Sequence, residues 1–205
     1  MGIPAGHLRQ TRNPVRAPAS SREALPMRVP VWYDDVTVGD GIDETVGETW
    51  SGLLELGHVE PSLPGISYLE VDGDEVRGAG RVGPFVGEPP FPLVMIHCGD
   101  LTVFAECSVR DGWVAGSGRL WVETFGDRFG NFEFAFSYAA SGRVGRLEMV
   151  ELRYGEETAT RVEGTRHPIE TVRPQYFTRD PISIYDCAVL AHVDLDADTP
   201  SRRTP

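Results

Sequence analysis

An all-β fold is what this sequence predicts: an antiparallel up-and-down β-barrel of about eight strands with an N-terminal arm or lid. Three observations predict it. Between Leu101 and Tyr154, four strand-like runs alternate with short Gly/Asp/Asn/Ser turns, the pattern of an antiparallel meander. Ahead of it, Ile66–Val71 and Glu75–Val82 flank Asp72, Gly73 and Asp74, a strong local hairpin signal. Helical periodicity is scarce, and about eight strands suit a barrel wide enough to hold one small ligand.

Residues 1–28 contain four prolines and five arginines against one acid, which supports neither a strand nor a long helix. They are read as a flexible basic arm or lid, residues 29–193 as a single barrel domain, and residues 194–205 as a disordered tail. Val29–Val38 is expected to be the first strand, with Pro30 marking an edge or an entry. Glu44–Leu56 is the second, placing Trp50 and Leu54 on one face and Leu53 and Glu55 on the other. Gly57–Gly65 reads as loop. Leu93–Cys107 fits two templates: a helix face, or a short turn at Gly99 followed by a strand from Leu101. The β-branched Thr102 and Val103 favour the strand. Phe132, Phe134, Phe136 and Tyr138 alternate as one face of a third meander strand, and Leu147–Tyr154 closes the fourth. Residues 156–168 read as a polar stretch with no assigned element, and Ile182–Val193 as a final strand or a short docked helix.

Composition removes several function classes. The net charge of -12 argues against nucleic acid as a partner, and no apolar run reaches the length of a membrane span. A cytoplasmic location is the default expectation. All nineteen basic residues are arginine. Schiff-base chemistry and a Walker-type phosphate loop both require a lysine amine, so neither is available. Cys98, Cys107 and Cys187 show no metal or disulfide spacing and are expected to be buried, reduced thiols. The five histidines lack ligand spacing, so neither a metal nor a cofactor is expected.

The remaining chemistry rests on carboxylates, His and Tyr. Glu106, among Thr102, Phe104 and Ser108, is either a carboxylate in an apolar cavity, suited to acid/base work, or a solvated residue on the outside. Glu123, two residues after Trp121, is either an acid beside an aromatic wall or a surface partner of Arg119 or Arg146. His97 and Asp100 form either an acid/base pair at a barrel mouth or a bond that closes a turn. With Tyr138, the catalytic candidates are Glu106, Glu123, His97 and Tyr138. Trp50, Tyr68, Phe104, Trp121 and Tyr154 are the candidate substrate-binding residues.

The strand pattern from the Asp72–Asp74 hairpin through Tyr154 resembles the small calycin-type barrels, among them the allene-oxide-cyclase-like and lipocalin-like cyclases of bacterial polyketide pathways. That resemblance lies in strand pattern and loop style, without a shared motif, so it carries over no catalytic residue. It implies a cofactor-free cyclase or isomerase, including [4+2] cyclisation, acting on a hydrophobic natural-product intermediate. Shape and orientation would then supply much of the rate. The segment from Trp32 to Asp40 is similar to the opening of MaoC-type hot-dog hydratases, although their active-site aspartate–histidine segment does not follow it. The alternatives are therefore a hot-dog dehydratase or thioesterase on acyl thioesters, with a central helix at Leu93–Cys107 and a homodimer, and a non-catalytic carrier.

Overall fold

The computed structural model describes residues 27–34, 43–85, 93–123, 135, 137–154, 161–172 and 187–196. Twelve strands carry them: β1 (Met27–Tyr33), β2 (Thr49–His58), β3 (Glu60–Ser62), β4 (Tyr68–Asp72), β5 (Glu75–Phe85), β6 (Leu93–Cys98), β7 (Leu101–Glu106), β8 (Trp113–Gly118), β9 (Leu120–Glu123), β10 (Ala140–Tyr154), β11 (Arg161–Ile169) and β12 (Cys187–Leu195). The all-β class holds. The count is twelve rather than eight, and among the described residues no helix is long and apolar enough to cross a membrane.

Two hairpins form where turn chemistry asked for them. Asp72 faces Glu75 across Gly73–Asp74, with Gly73 at φ 67°, and Cys98 faces Leu101 across Gly99–Asp100, with Gly99 at φ 62°. A glycine at the first central position lets the backbone take the left-handed region that these tight turns require. Leu93–Cys107 is thus mainly the β6–β7 hairpin, and the helix of the hot-dog alternative does not form there.

The meander does not form. β7 lies between β6 and β2, β8 between β5 and β3, β9 between β1 and β2, and β10 beside β11 and β12. Alternation records which residues share a face, but it is silent on which strand lies alongside. At Gly118, with φ 150°, the chain leaves β8 and passes from the neighbourhood of β5 to that of β1. The expected Phe132–Ala139 strand is corrected over its described part, Ala135 and 137–139. Tyr138 N donates to Ala135 O at 2.9 Å, a turn, and the strand begins at Ala140; Phe132, Phe134 and Phe136 lie outside the described residues. Residues 161–169, most of them in the polar stretch to which no element was assigned, are β11, and residues 60–62, read as loop, are β3.

The sheet is mixed. β1–β9 and β2–β7 run parallel, and the remaining pairs are antiparallel. Pairing also closes on itself: β10, β12, β1, β9 and β2 follow in order, and β2 returns to β10 through Ala140–Arg143. Pro30 sits within β1 opposite His192, one residue before pairing with β9 begins at Val31, a place where a missing N–H is tolerated.

Alternation then sorts the side chains. Val29, Val31 and Tyr33 of β1, Trp50 and Leu54 of β2, and Val189, Ala191 and Val193 of β12 enter one continuous core. Burying each Val or Leu contributes about 1.5–3 kcal/mol. A bulge at Gly145 lets both Val144 and Leu147 of β10 point into that core. A second group, Leu53, Leu93, Met95, Phe104, Ala135 and Ala139, packs on the opposite face of β2, β6 and β7. A third, Trp32, Val150, Leu152, Ala188 and Leu190, covers the outer face of β1, β10 and β12.

Candidate functional site

The third group floors a cleft. Parallel pairing sets Trp32 of β1 beside Trp121 of β9, with ring centroids 6.1 Å apart and planes at 46°. Trp32 is fully buried, and its Nε1 donates to Asp74 O at 3.0 Å, so the tip of the β4–β5 hairpin is tied over this face. A buried indole N–H needs such a partner. Arg119, immediately before β9, places its guanidinium 3.9 Å from the Trp32 ring centroid; Arg166 of β11 lies 5.9 Å from it.

Carboxylates hold both guanidinium groups. Glu163 pairs with Arg119 and, at 2.7 Å, with Arg166. Arg166 also pairs with Asp74 and lies 3.9 Å from Glu148. Burial lowers the Arg119 pKa, Glu75 and Asp74 oppose that shift, and Arg166 adds to it. Arginine remains charged regardless. The resulting cleft has a volume of about 550 Å³ and is lined by Asp34, Arg119, Trp121, Leu152, Val162, Glu163 and Ala188. Apolar side chains with a few polar groups at the rim are the composition of a small-molecule site.

Next to the cleft, Glu148 is 6% exposed, pairs with Arg146, and keeps an Oε2 without a hydrogen bond. His192 Nε2 is likewise buried without one. Burial lowers the His192 pKa. Arg146 and Arg28 push the same way, while Asp74 and Glu148 push against them.

The candidates named from the sequence do not share a wall. Trp121 lines the cleft. Glu123 pairs through its backbone with Leu53 in β9; its side chain and that of Tyr154 lie outside the described residues. Trp50 lies in the main core, where its Nε1 donates to Tyr33 Oη at 2.6 Å. Phe104 is buried in the second group, and Tyr68 is exposed. Glu106 is exposed at the end of β7, which is the solvated alternative of the two considered for it. The strand alternates as expected, but its outward register ends in solvent once the chain turns away after Glu106.

Two candidates do meet. The rings of His97 and Tyr138 lie 6.4 Å apart at 51°, and His97 Nδ1 pairs with Thr102 Oγ1 at 3.1 Å. Burial lowers the His97 pKa, which favours the neutral ring. Asp100 is exposed in the adjoining turn. This pair sits against the second packing group, away from the Trp121 cleft. Among the described residues no group of three His, Cys, Asp or Glu side chains is placed to hold a metal ion.

Arg119, Arg166, Glu163, Asp74 and Trp32 were not legible as a site. They come from four separate strands or turns, and most of β11 had read only as a polar stretch. A clue was present in Arg119 and Trp121, two residues apart and therefore on one face of an extended strand. Comparison with protein-family models, with curated proteins and with solved structures returns no match for this chain.

Proposed function

We propose that the protein binds a hydrophobic small molecule in the Trp121 cleft and turns it over without a cofactor, by cyclisation or isomerisation. The observation that carries this reading is the cleft itself, about 550 Å³ with Trp121, Leu152, Val162 and Ala188 as its apolar lining. That volume falls in the ordinary range for small-molecule sites. Holding a flexible chain in one reactive conformation accelerates an intramolecular reaction without a dedicated nucleophile. The closed circuit of β10, β12, β1, β9 and β2 supports a calycin-like barrel reading, with the ligand on its outer face. Three cysteines buried without a disulfide fit a reducing, cytosolic setting.

A carrier is the second reading, favoured by one feature. Glu163 at the rim is committed to Arg119 and Arg166 rather than poised as a lone acid or base.

The test is fluorescence titration of the full chain against a panel of polyene and polycyclic compounds, with products followed by chromatography. Binding that is lost in Val162→Trp, a change at a position 54% exposed and therefore tolerated by the fold, supports the cleft. New products in the wild type support turnover, and binding without products supports the carrier. Binding unaffected by Val162→Trp removes the cleft as the site.

A further inference from the structure

We infer that a water molecule is bound within the outer face of β10 and β12, bridging Glu148 Oε2 and His192 Nε2. The inference stands independently of the cleft reading.

Two sealed polar atoms carry it. Glu148 is 6% exposed; Arg146 takes its Oε1, and its Oε2 is buried without a hydrogen bond. His192 Nε2 is buried in the same condition. Strand register sets the two side by side. Arg146 lies opposite His192 and Glu148 opposite Leu190, so Glu148 and His192 are diagonal neighbours on one face. Diagonal positions lie about 7–8 Å apart, within reach of long side chains. Burial lowers the His192 pKa and Glu148 opposes that shift, so the pair interacts across space without a direct bond.

The residues around the pair cannot serve these atoms. Pro30 stands opposite His192 and Pro168 opposite Glu148, and a proline ring neither donates nor accepts. Leu190, across from Glu148 on β12, is apolar. Arg166 Nη1 is 3.9 Å from Oε2, too far for a hydrogen bond.

The chemistry of the two atoms selects the guest. It must donate to a carboxylate and also match an imidazole nitrogen. A further cation is opposed by Arg146 and Arg166, which already stand at Glu148. Among the described residues no group of three His, Cys, Asp or Glu side chains is placed for a metal. An organic guest has no route, because both atoms are cut off from solvent. Water both donates and accepts, so it serves Oε2 together with either tautomer of the neutral ring. Buried polar atoms without a protein partner are where internal waters sit. Arg166 also holds Asp74 and Glu163, so this water supports the buried end of the ion-pair network beside the cleft.

The experiment measures water-to-protein Overhauser effects on the isotope-labelled full chain at pH 7.5. The carbon-bound Hδ2 and Hε1 of His192 flank Nε2 and are assigned by their loss in His192→Gln. Both are expected to show water cross peaks with the opposed laboratory-frame and rotating-frame signs of a water that tumbles with the protein. Glu148→Leu, which removes the carboxylate, is expected to lose them. Absence of such peaks in the folded wild type overturns the inference, and so does their persistence in folded Glu148→Leu. If Glu148→Leu does not fold, the wild-type crystal structure decides. A solvent oxygen within hydrogen-bond distance of both atoms supports the bridge. A direct Glu148–His192 bond, or no density between them, refutes it.

Discussion

The Arg119 guanidinium lies 3.9 Å from the centroid of the Trp32 ring, and Glu163 closes on the same group from β11. One arginine thus joins the outer face of β1 to a strand more than forty residues further along the chain. The planar cation suits this place because it stacks on an indole and still pairs with a carboxylate.

Replacing Arg119 tests that junction. Arg119→Ala is expected to lower stability by about 1–2 kcal/mol through the lost cation–π contact and the loss of one of the two ion pairs of Glu163, which keeps Arg166. Arg119→Lys should recover less than half of it, because an ammonium lacks the planar fork. Urea unfolding of both variants measures the difference, and equal stability of Arg119→Ala and wild type would refute the contact as a stabiliser.

The buried Tyr33–Trp50 pair gives a larger effect. Trp50 Nε1 donates to Tyr33 Oη at 2.6 Å, and Tyr33 Oη donates to Glu44 Oε1 at 3.2 Å. Burial, with Glu44 beside it, holds the phenol far above its usual pKa, so it stays protonated and able to donate. Tyr33→Phe leaves a buried indole N–H unpaired and is expected to cost about 1–3 kcal/mol. Tyr33→Phe combined with Trp50→Phe should cost less than the sum of the single changes, read from a double-mutant cycle.

His192 predicts a pH dependence. Its folded pKa lies below the ordinary 6.5, chiefly through burial, so the unfolded chain takes up its proton first as pH falls. This residue therefore contributes no pH dependence well above 6.5 and removes stability progressively below it. His192→Gln is expected to lose less stability than wild type between pH 7.5 and 5.5, measured by thermal unfolding at both. A parallel loss in the two proteins would show that His192 is not the group responsible.

Gly80 marks a close approach of two strands. A Cβ built there would sit 2.1 Å from His97 O, a backbone atom that cannot swing aside. Gly80→Ala is expected to destabilise the fold by about 3 kcal/mol or more, by forcing β5 and β6 apart. Gly65→Ala, where the nearest such atom is 3.8 Å away, serves as the control and should stay close to wild type.

Much of the local structure could be read from residue order. The Asp72–Asp74 and Gly99 turns, the start of β7 at Leu101, and the opposed faces of Trp50 and Leu53 all follow from alternation and turn chemistry. β11 escaped because its run from Arg161 to Ile169 is polar along much of its length, and it is a strand only through pairing with β10. The site escaped for a related reason. Glu163 becomes informative only when β11 brings it to Arg119, and Asp74 only when its hairpin tip reaches Trp32.

By itself the sequence determined the all-β class, the two tight hairpins and the opposed faces of residues such as Trp50 and Leu53, because the pleat and turn sterics act within a few residues. It also excluded lysine-dependent chemistry outright. Strand neighbours were decided by tertiary structure alone. Backbone N–H and C=O groups are the same at every residue, so which edge they meet depends on how the whole apolar surface is best buried. That choice replaced the expected meander with a mixed twelve-strand sheet. It also moved the candidate site from the inside of the sheet to its outer face.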